Sequence, residues 1–369
     1  MKRLNYIDGL KGWCAVSVCV FHFLLMFVID GYIGWKCLPE AALNPFEYYF
    51  EWFPYSILTN NSFPLYIFFA LTSFIVSYTF MKNKSDDKLK QKIVMRYFRF
   101  LPLVLIACFV AYLLLAFKLC PLEEFYNITG NTWGLARLEE SYTFLDMLKI
   151  GFFSSFFEGT QLVSPFWCLH YIFLGSMLSF IMMLLYTKVD NKIFFFGSAL
   201  LMFYFVDQNY LAFIMGLIAG ILANKEYSMS KAKGAVLIAA GCVFGVFPPV
   251  LLPSFINVVA LYALGAGFVI VGIHCCFSNN RLLCNKFAEF LGKESLALIV
   301  WQFLIMQSLN IFTYNRFYNA GMSLPINIVI NFVINMSVSI FLTWVSAKTI
   351  TPLTNVLCNR VSALLWKRP

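Results

Sequence analysis

An all-α, polytopic membrane bundle of about ten transmembrane helices, with the N- and C-termini both cytoplasmic, is the fold class predicted for this chain. Composition is the first reason: 61% of the 369 residues are hydrophobic and 12% are charged, against about 25% charged in a soluble domain. Segmentation is the second, since ten stretches are long and apolar enough to be read as crossings. Charge asymmetry is the third. If all ten cross from a cytoplasmic N-terminus, 22 of the 27 Lys and Arg fall inside, and only Lys36, Lys118, Arg137, Lys149 and Arg316 fall outside. The positive-inside rule predicts that bias. The 18 acids divide 7 inside and 11 outside, so the net charge of +9 separates into +15 and −6. It is a topology signal, not a nucleic-acid footprint.

The spans run over 10–29, 62–81, 98–117, 163–187, 192–206, 209–224, 234–252, 255–277, 296–313 and 326–346. Lys2 and Arg3 precede the first as they would a signal peptide, but it lacks a small-x-small cleavage site and runs too long. It is expected to remain as the first span. The fifth and sixth are short and joined around Asp207, which suggests a tight helical pair. No appended soluble domain is expected, so 1–369 reads as a single integral-membrane domain. The two longest connections, 30–61 and 118–162, are external and rich in aromatics. They are expected to fold over the outer mouth of the bundle or to form an interfacial belt.

The stretch "KNKSDDKLKQKIVMRYFRFLPL" (82–103) is the densest charge run and anchors the topology beside anionic lipid. Arg96 and Arg99 differ from the lysines before them. Three residues apart at the start of a span, they share a helix face and can fork onto phosphate oxygens. The 11 cysteines include no C-x-x-C pair and no zinc spacing, so no metal site is expected. Cys14, Cys19, Cys108, Cys168 and Cys242 pack as small hydrophobes. Cys37 and Cys120 share the outer side and could pair in an oxidising compartment. His274, Cys275 and Cys276 are adjacent on a helix and point different ways, which favours a structural role.

One titratable residue stands out. His22 lies in the middle of the first apolar run, eleven residues after Lys11. At about 100° per residue the two lie within roughly 20° of one face, about 16 Å apart along the axis. Intramembrane ionisable groups are functional candidates because lipid makes them costly, although an interior hydrogen-bonding histidine would also account for His22. Asp8, three residues before Lys11, can pair with it. A neutral imidazole in a desolvated cavity can take a proton from a hydroxyl as that oxygen attacks a carbonyl.

Five segments resemble, in order, the acyltransferase family 3 membrane proteins. "YIDGLKGWCAVSVCVFHF" resembles the opening L-D-x-L-R-G followed by an apolar run and F-H, and the family's Arg-x10-His spacing falls on Lys11 and His22. "FFALTSFIVS" (68–77) resembles F-F-x-L-S-G-F, with Thr72 and Ser73 in place of Ser-Gly. "RYFRFLPL" (96–103) resembles R-x-x-R-x-x-P through Arg96, Arg99 and Pro102. "SPFWCLHYIFLGSMLSF" (164–180) resembles W-T-x-P-x-E-F-x-G-S and keeps Trp167, Phe173, Gly175 and Ser176. "FLGKESLALIVWQFLIM" (290–306) resembles L-G-x-x-S-x-x-x-Y-x-x-H. There are departures: Lys11 replaces arginine, Ile172 occupies the glutamate position, and Gln302 occupies the late histidine position. His170, about 200° around the helix from Ile172, does not replace that acid.

The resemblance implies a bacterial plasma-membrane O-acyltransferase. It would move an acetyl or similar short acyl group from cytoplasmic acyl-CoA to a hydroxyl of a cell-surface polysaccharide or lipid-linked glycan. Acyl-CoA would be the donor substrate, with no permanently bound cofactor. His22 would handle the proton or the acyl group. Lys11, Arg96 and Arg99 would steer the CoA phosphates, with Asp8 orienting Lys11. Thr72, Ser73 and Trp167 would support the site, although small residues in a span also serve helix packing. Membrane lipids and polysaccharide-assembly proteins would be the other partners. The alternative is an exporter or flippase of the same fold, in which His22 is dispensable and deletion removes the polymer itself. A secondary solute transporter would need paired broken helices in related halves. Pro248-Pro249 supplies one break without a clear counterpart.

Overall fold

A computed structural model describes residues 4–28, 62–130, 142–160, 162–225, 229–247, 252–253 and 255–366. The connection 30–61, the proposed Cys37–Cys120 pairing and the Pro248-Pro249 break lie outside these residues. Among the described residues every regular element is helical, as an apolar solvent requires of a chain that must satisfy its backbone internally. In chain order these are α1 (Asn5–Phe27), α2 (Ser62–Asn83), α3 (Asp86–Ala116), α4 (Leu122–Thr129), α5 (Phe144–Lys149), α6 (Phe166–Tyr186) and α7 (Lys192–Val206). They continue as α8 (Leu211–Leu222), α9 (Lys231–Gly245), α10 (Val258–Cys276), α11 (Lys286–Lys293), α12 (Ser295–Ile305), α13 (Ile311–Asn319) and α14 (Leu324–Leu365).

Among the described residues, seven helices are long and apolar enough to cross a membrane: α1, α2, α3, α6, α10, α14, and the run Ser295–Asn319 that joins α12 to α13. The three remaining apolar segments of the sequence carry the shorter helices α7, α8 and α9. Asp207 sits between α7 and α8, where its side chain accepts from the Asn209 backbone N–H and starts a 3₁₀ turn.

Two elements depart from the sequence expectation. The connection 118–162 is partly helical. α4 ends at Gly130 with φ 76, and α5 begins with a capping box between Thr143 and Asp146 before passing into a π turn, Ile150–Ser154. The sequence predicts the last span over 326–346, whereas the helix runs 42 residues to Leu365, through Pro352. At 1.5 Å per residue it is about 63 Å long, roughly twice the hydrocarbon thickness. No glycine stop follows residue 346, and one proline costs a helix only a local hydrogen bond and a kink.

Contacts divide the chain into two compact units, Met1–Ser17 with Ser56–Arg96 and Tyr171–Lys293, and Val18–Tyr55 with Tyr97–His170 and Glu294–Pro369. In the first unit α8 lies directly on α2. A Cβ on Gly216 would overlap the Ala70 carbonyl, and one on Gly220 would overlap Ser77. Small residues let backbones approach where lipid is as apolar as leucine and dispersion must supply the attraction. Around that contact Val76, Phe80, Leu89, Phe180, Met183, Ile214 and Leu217 form a buried cluster. In the second unit the end of α1 is held by rings. Phe23 meets Phe332 at 5.2 Å, and Phe27 meets Phe125 and Tyr314 at 5.4 Å each. Glu124 on α4 accepts from Asn315 and Asn319 on α13, which fixes α4 over that aromatic group.

Candidate active site

In the first unit the opening motif is packed tightly at its glycines. A Cβ on Gly9 would overlap the Leu283 carbonyl oxygen, one on Gly12 the Ala288 carbonyl, and one on Gly292 the carbonyl of Asp8. The first and last family-like segments therefore meet, through the first turns of α1 and the end of α11. Tyr6 and His274 share a hydrogen bond of 2.5 Å between the phenol oxygen and Nδ1, and the Trp13 indole donates to the Leu282 carbonyl at 2.9 Å. His274 is thus a packing partner of α1. Asp8 is buried and Lys11 half-buried on this stretch.

Arg96 is half-buried, and its Nε donates to Ser176 Oγ at 3.0 Å. Ser176 in turn donates to the Phe173 carbonyl at 2.7 Å, so this hydroxyl both anchors to α6 and orients the guanidinium. The geometry explains why the third and fourth segments each carry their polar residue. Thr72 Oγ1 donates to the Phe68 carbonyl within α2, and Ser73 shares a 2.7 Å hydrogen bond with Ser179 of α6. Both hydroxyls are engaged in helix contacts.

In the second unit His22 is buried on α1. Its ring lies 6.1 Å from Phe21 and 6.4 Å, edge to face, from Phe303 of α12. Apolar rings thus lie against the only imidazole of α1. Arg99 is exposed on α3, and Trp167, at the start of α6, is 41% exposed. His170 Nδ1 lies 3.1 Å from the Phe156 carbonyl, a contact that ties α6 to the turn after α5. Gln302, at the position where the family pattern has histidine, is completely buried.

One set of polar residues escaped the sequence reading. Asn327, Asn331, Asn335, Ser339 and Thr343 of α14 recur every four residues, and all are completely buried. Their amides join Asn310, in the π turn Met306–Asn310, in one directed chain. Asn335 donates to Asn310 at 2.8 Å, Asn310 to Asn331 at 3.2 Å, Asn331 to Asn327 at 2.7 Å, and Asn327 to the Tyr314 carbonyl at 3.0 Å. Thr313 adds a second donor to Asn331, and the Trp301 indole donates to Ser346 at 2.7 Å. A polar residue at every fourth position of an apolar run was the available signal. A π turn leaves no such trace, and it changes which α12–α13 residues face α14.

No curated protein and no solved structure matches the chain. A family model does: that of acyltransferase family 3, described as an acyltransferase domain, matches residues 4–347. The match spans the motif contacts between α1 and α11, the Arg96–Ser176 pair, His22 and the asparagine ladder. With seven helices among the described residues long and apolar enough to cross a bilayer, the chain belongs to acyltransferase family 3 and is an integral membrane protein of that family.

Proposed function

We propose that the protein is an O-acyltransferase of a bacterial plasma membrane, with ten crossings and both termini cytoplasmic. It takes an acetyl or similar short acyl group from cytoplasmic acyl-CoA and delivers it to a hydroxyl of a surface polysaccharide or lipid-linked glycan. One observation carries this: an imidazole, His22, is held among aromatic rings on the buried part of α1 in a chain of an acyltransferase family.

His22 accepts the proton of the acceptor hydroxyl as its oxygen attacks the thioester carbonyl. The tetrahedral intermediate collapses by breaking the C–S bond, an ester forms, and the imidazolium returns the proton to the CoA thiolate. Lys11, Arg96 and Arg99 attract the donor's phosphates, Arg96 from a guanidinium already oriented by Ser176. Asp8 sets Lys11, and Trp167 presents an exposed ring for a sugar face.

The test is mass spectrometry of surface glycan from cells expressing wild type or His22→Ala at equal membrane levels. Removing a general base costs about 10²–10⁴-fold, so the variant should add no detectable base-labile acyl mass on glycan of unchanged chain length. If neither form alters acylation and deletion instead removes the exported polymer, the export function replaces this one.

A further inference from the structure

We infer that Gln302, Asn335 and Ser339 form a buried site between α12 and α14 that takes a hydroxylic hydrogen-bond donor. All three are completely buried. Gln302 Oε1, Asn335 Oδ1 and Ser339 Oγ each lack a hydrogen-bond partner among the described residues, whereas buried polar atoms in proteins are nearly always paired. The three are neighbours. Asn335 donates to the Gln302 backbone carbonyl at 3.3 Å, and Ser339 lies one turn further along α14.

The ladder gives the site a direction. The Asn335 amide group already donates to Gln302 and Asn310, which fixes its Oδ1 as an acceptor. Every amide beyond it donates the same way, ending at the Tyr314 carbonyl. A donor at Asn335 Oδ1 polarises that whole chain, because hydrogen bonds in series strengthen one another in a low dielectric. Two amide oxygens and a hydroxyl offer acceptors without formal charge, which suits an O–H group rather than an anion. That group is either a resident water or a hydroxyl of the acyl acceptor. The second source rests on the acyl-transfer function proposed above; the site itself does not.

Met306 provides a reporter. Its sulfur accepts from Gln302 Nε2 at 3.7 Å, and the side chain is completely buried. Hydroxyl radicals generated from water oxidise a thioether to the sulfoxide, and a buried methionine is reached only where water lies beside it. The purified full-length protein in detergent would be irradiated briefly with X-rays, and each methionine's added oxygen measured by peptide mass spectrometry. Met183 and Met26, 0% and 1% exposed, serve as dry references, and Met322, in the turn between α13 and α14, as the wet one. A parallel assay measures acylation of de-O-acylated surface glycan by wild type and Ser339→Ala.

If water occupies the site, Met306 is oxidised at least tenfold faster than Met183 and Met26. Ser339→Ala and Asn335→Leu then reduce it to their level, with Met322 unchanged, and the glycan KM does not move. If the acceptor hydroxyl occupies it, Ser339→Ala raises the glycan KM several-fold at similar kcat, whether or not Met306 is labelled. Met306 as inert as Met183, together with an unchanged glycan KM in Ser339→Ala, overturns the site. Labelling of Met306 in a protein that transfers no acyl group would retain the site and remove only the proposed function.

Discussion

His22 and Arg96 show how differently two ionisable side chains are handled by the same kind of helix. His22 is set against the apolar rings of Phe21 and Phe303, whereas half-buried Arg96 is held by Ser176, which accepts from its Nε. Ser176→Ala should therefore raise the KM for acyl-CoA with little change in kcat and no loss of folded protein. A hydrogen bond to a charged group is worth about 1.5–3 kcal/mol, and about 1.4 kcal/mol is tenfold, so a rise on the order of tenfold is expected. An unchanged donor KM, measured by titrating acyl-CoA against membranes, would remove Arg96 from donor binding. Both residues were legible in the sequence, as rare ionisable groups in apolar runs. The Ser176 contact was not, because 80 residues separate the partners.

At the scale of elements, backbone proximity is the governing feature. Gly12 and Gly292 sit where α1 and α11 leave no room for a Cβ. Gly292→Ala should destabilise by about 1–3 kcal/mol through overpacking, more than the roughly 0.5–1 kcal/mol that alanine adds inside a helix. Thermal denaturation in detergent reads this directly, and an equal or higher Tm would show that the backbones can separate. Glu294, just ahead of α12, makes a pH prediction. Burial raises its carboxyl above the usual range, and the Thr351 hydroxyl, donating at 3.0 Å, offsets only part of that. A raised folded value means its favourable contribution is complete below the unfolded pKa and disappears as pH rises through the folded pKa. Glu294→Gln should therefore match wild type in acid and gain on it progressively toward neutral pH. A Tm difference independent of pH would contradict that assignment. The spanning helices were readable from apolar length, but the π turn and the extension of α14 were not. The π turn depends on which neighbour satisfies its polar groups, and the extension runs beyond the apolar segment on the helix's own backbone hydrogen bonds.

For the molecule as a whole, charge and helix count bear on topology from opposite sides. Seven long helices crossing alone would put the termini on opposite faces, whereas ten crossings, with α7, α8 and α9 included, put them on the same face. The lysine and arginine distribution is the one the positive-inside rule expects of the second arrangement. Reporters placed after Asn83 and after Leu365 should both read cytoplasmic, and one after Lys118 should read external. A C-terminal reporter exposed outside, with the one after Asn83 still inside, would reduce the crossings to an odd number.

Apolar length, charge asymmetry and five ordered motifs were sufficient to establish the helical class, ten apolar segments and the family, since each depends on residues near one another in the chain. Tertiary structure decided what those motifs do in space: Gly292 against Asp8, Ser176 beneath Arg96, and Asn310 linked to Asn331 and Asn335. The physical reason is that hydropathy reports transfer into lipid, residue by residue. Hydrogen bonds and backbone contacts between helices depend on which faces meet, and only the packed chain specifies that.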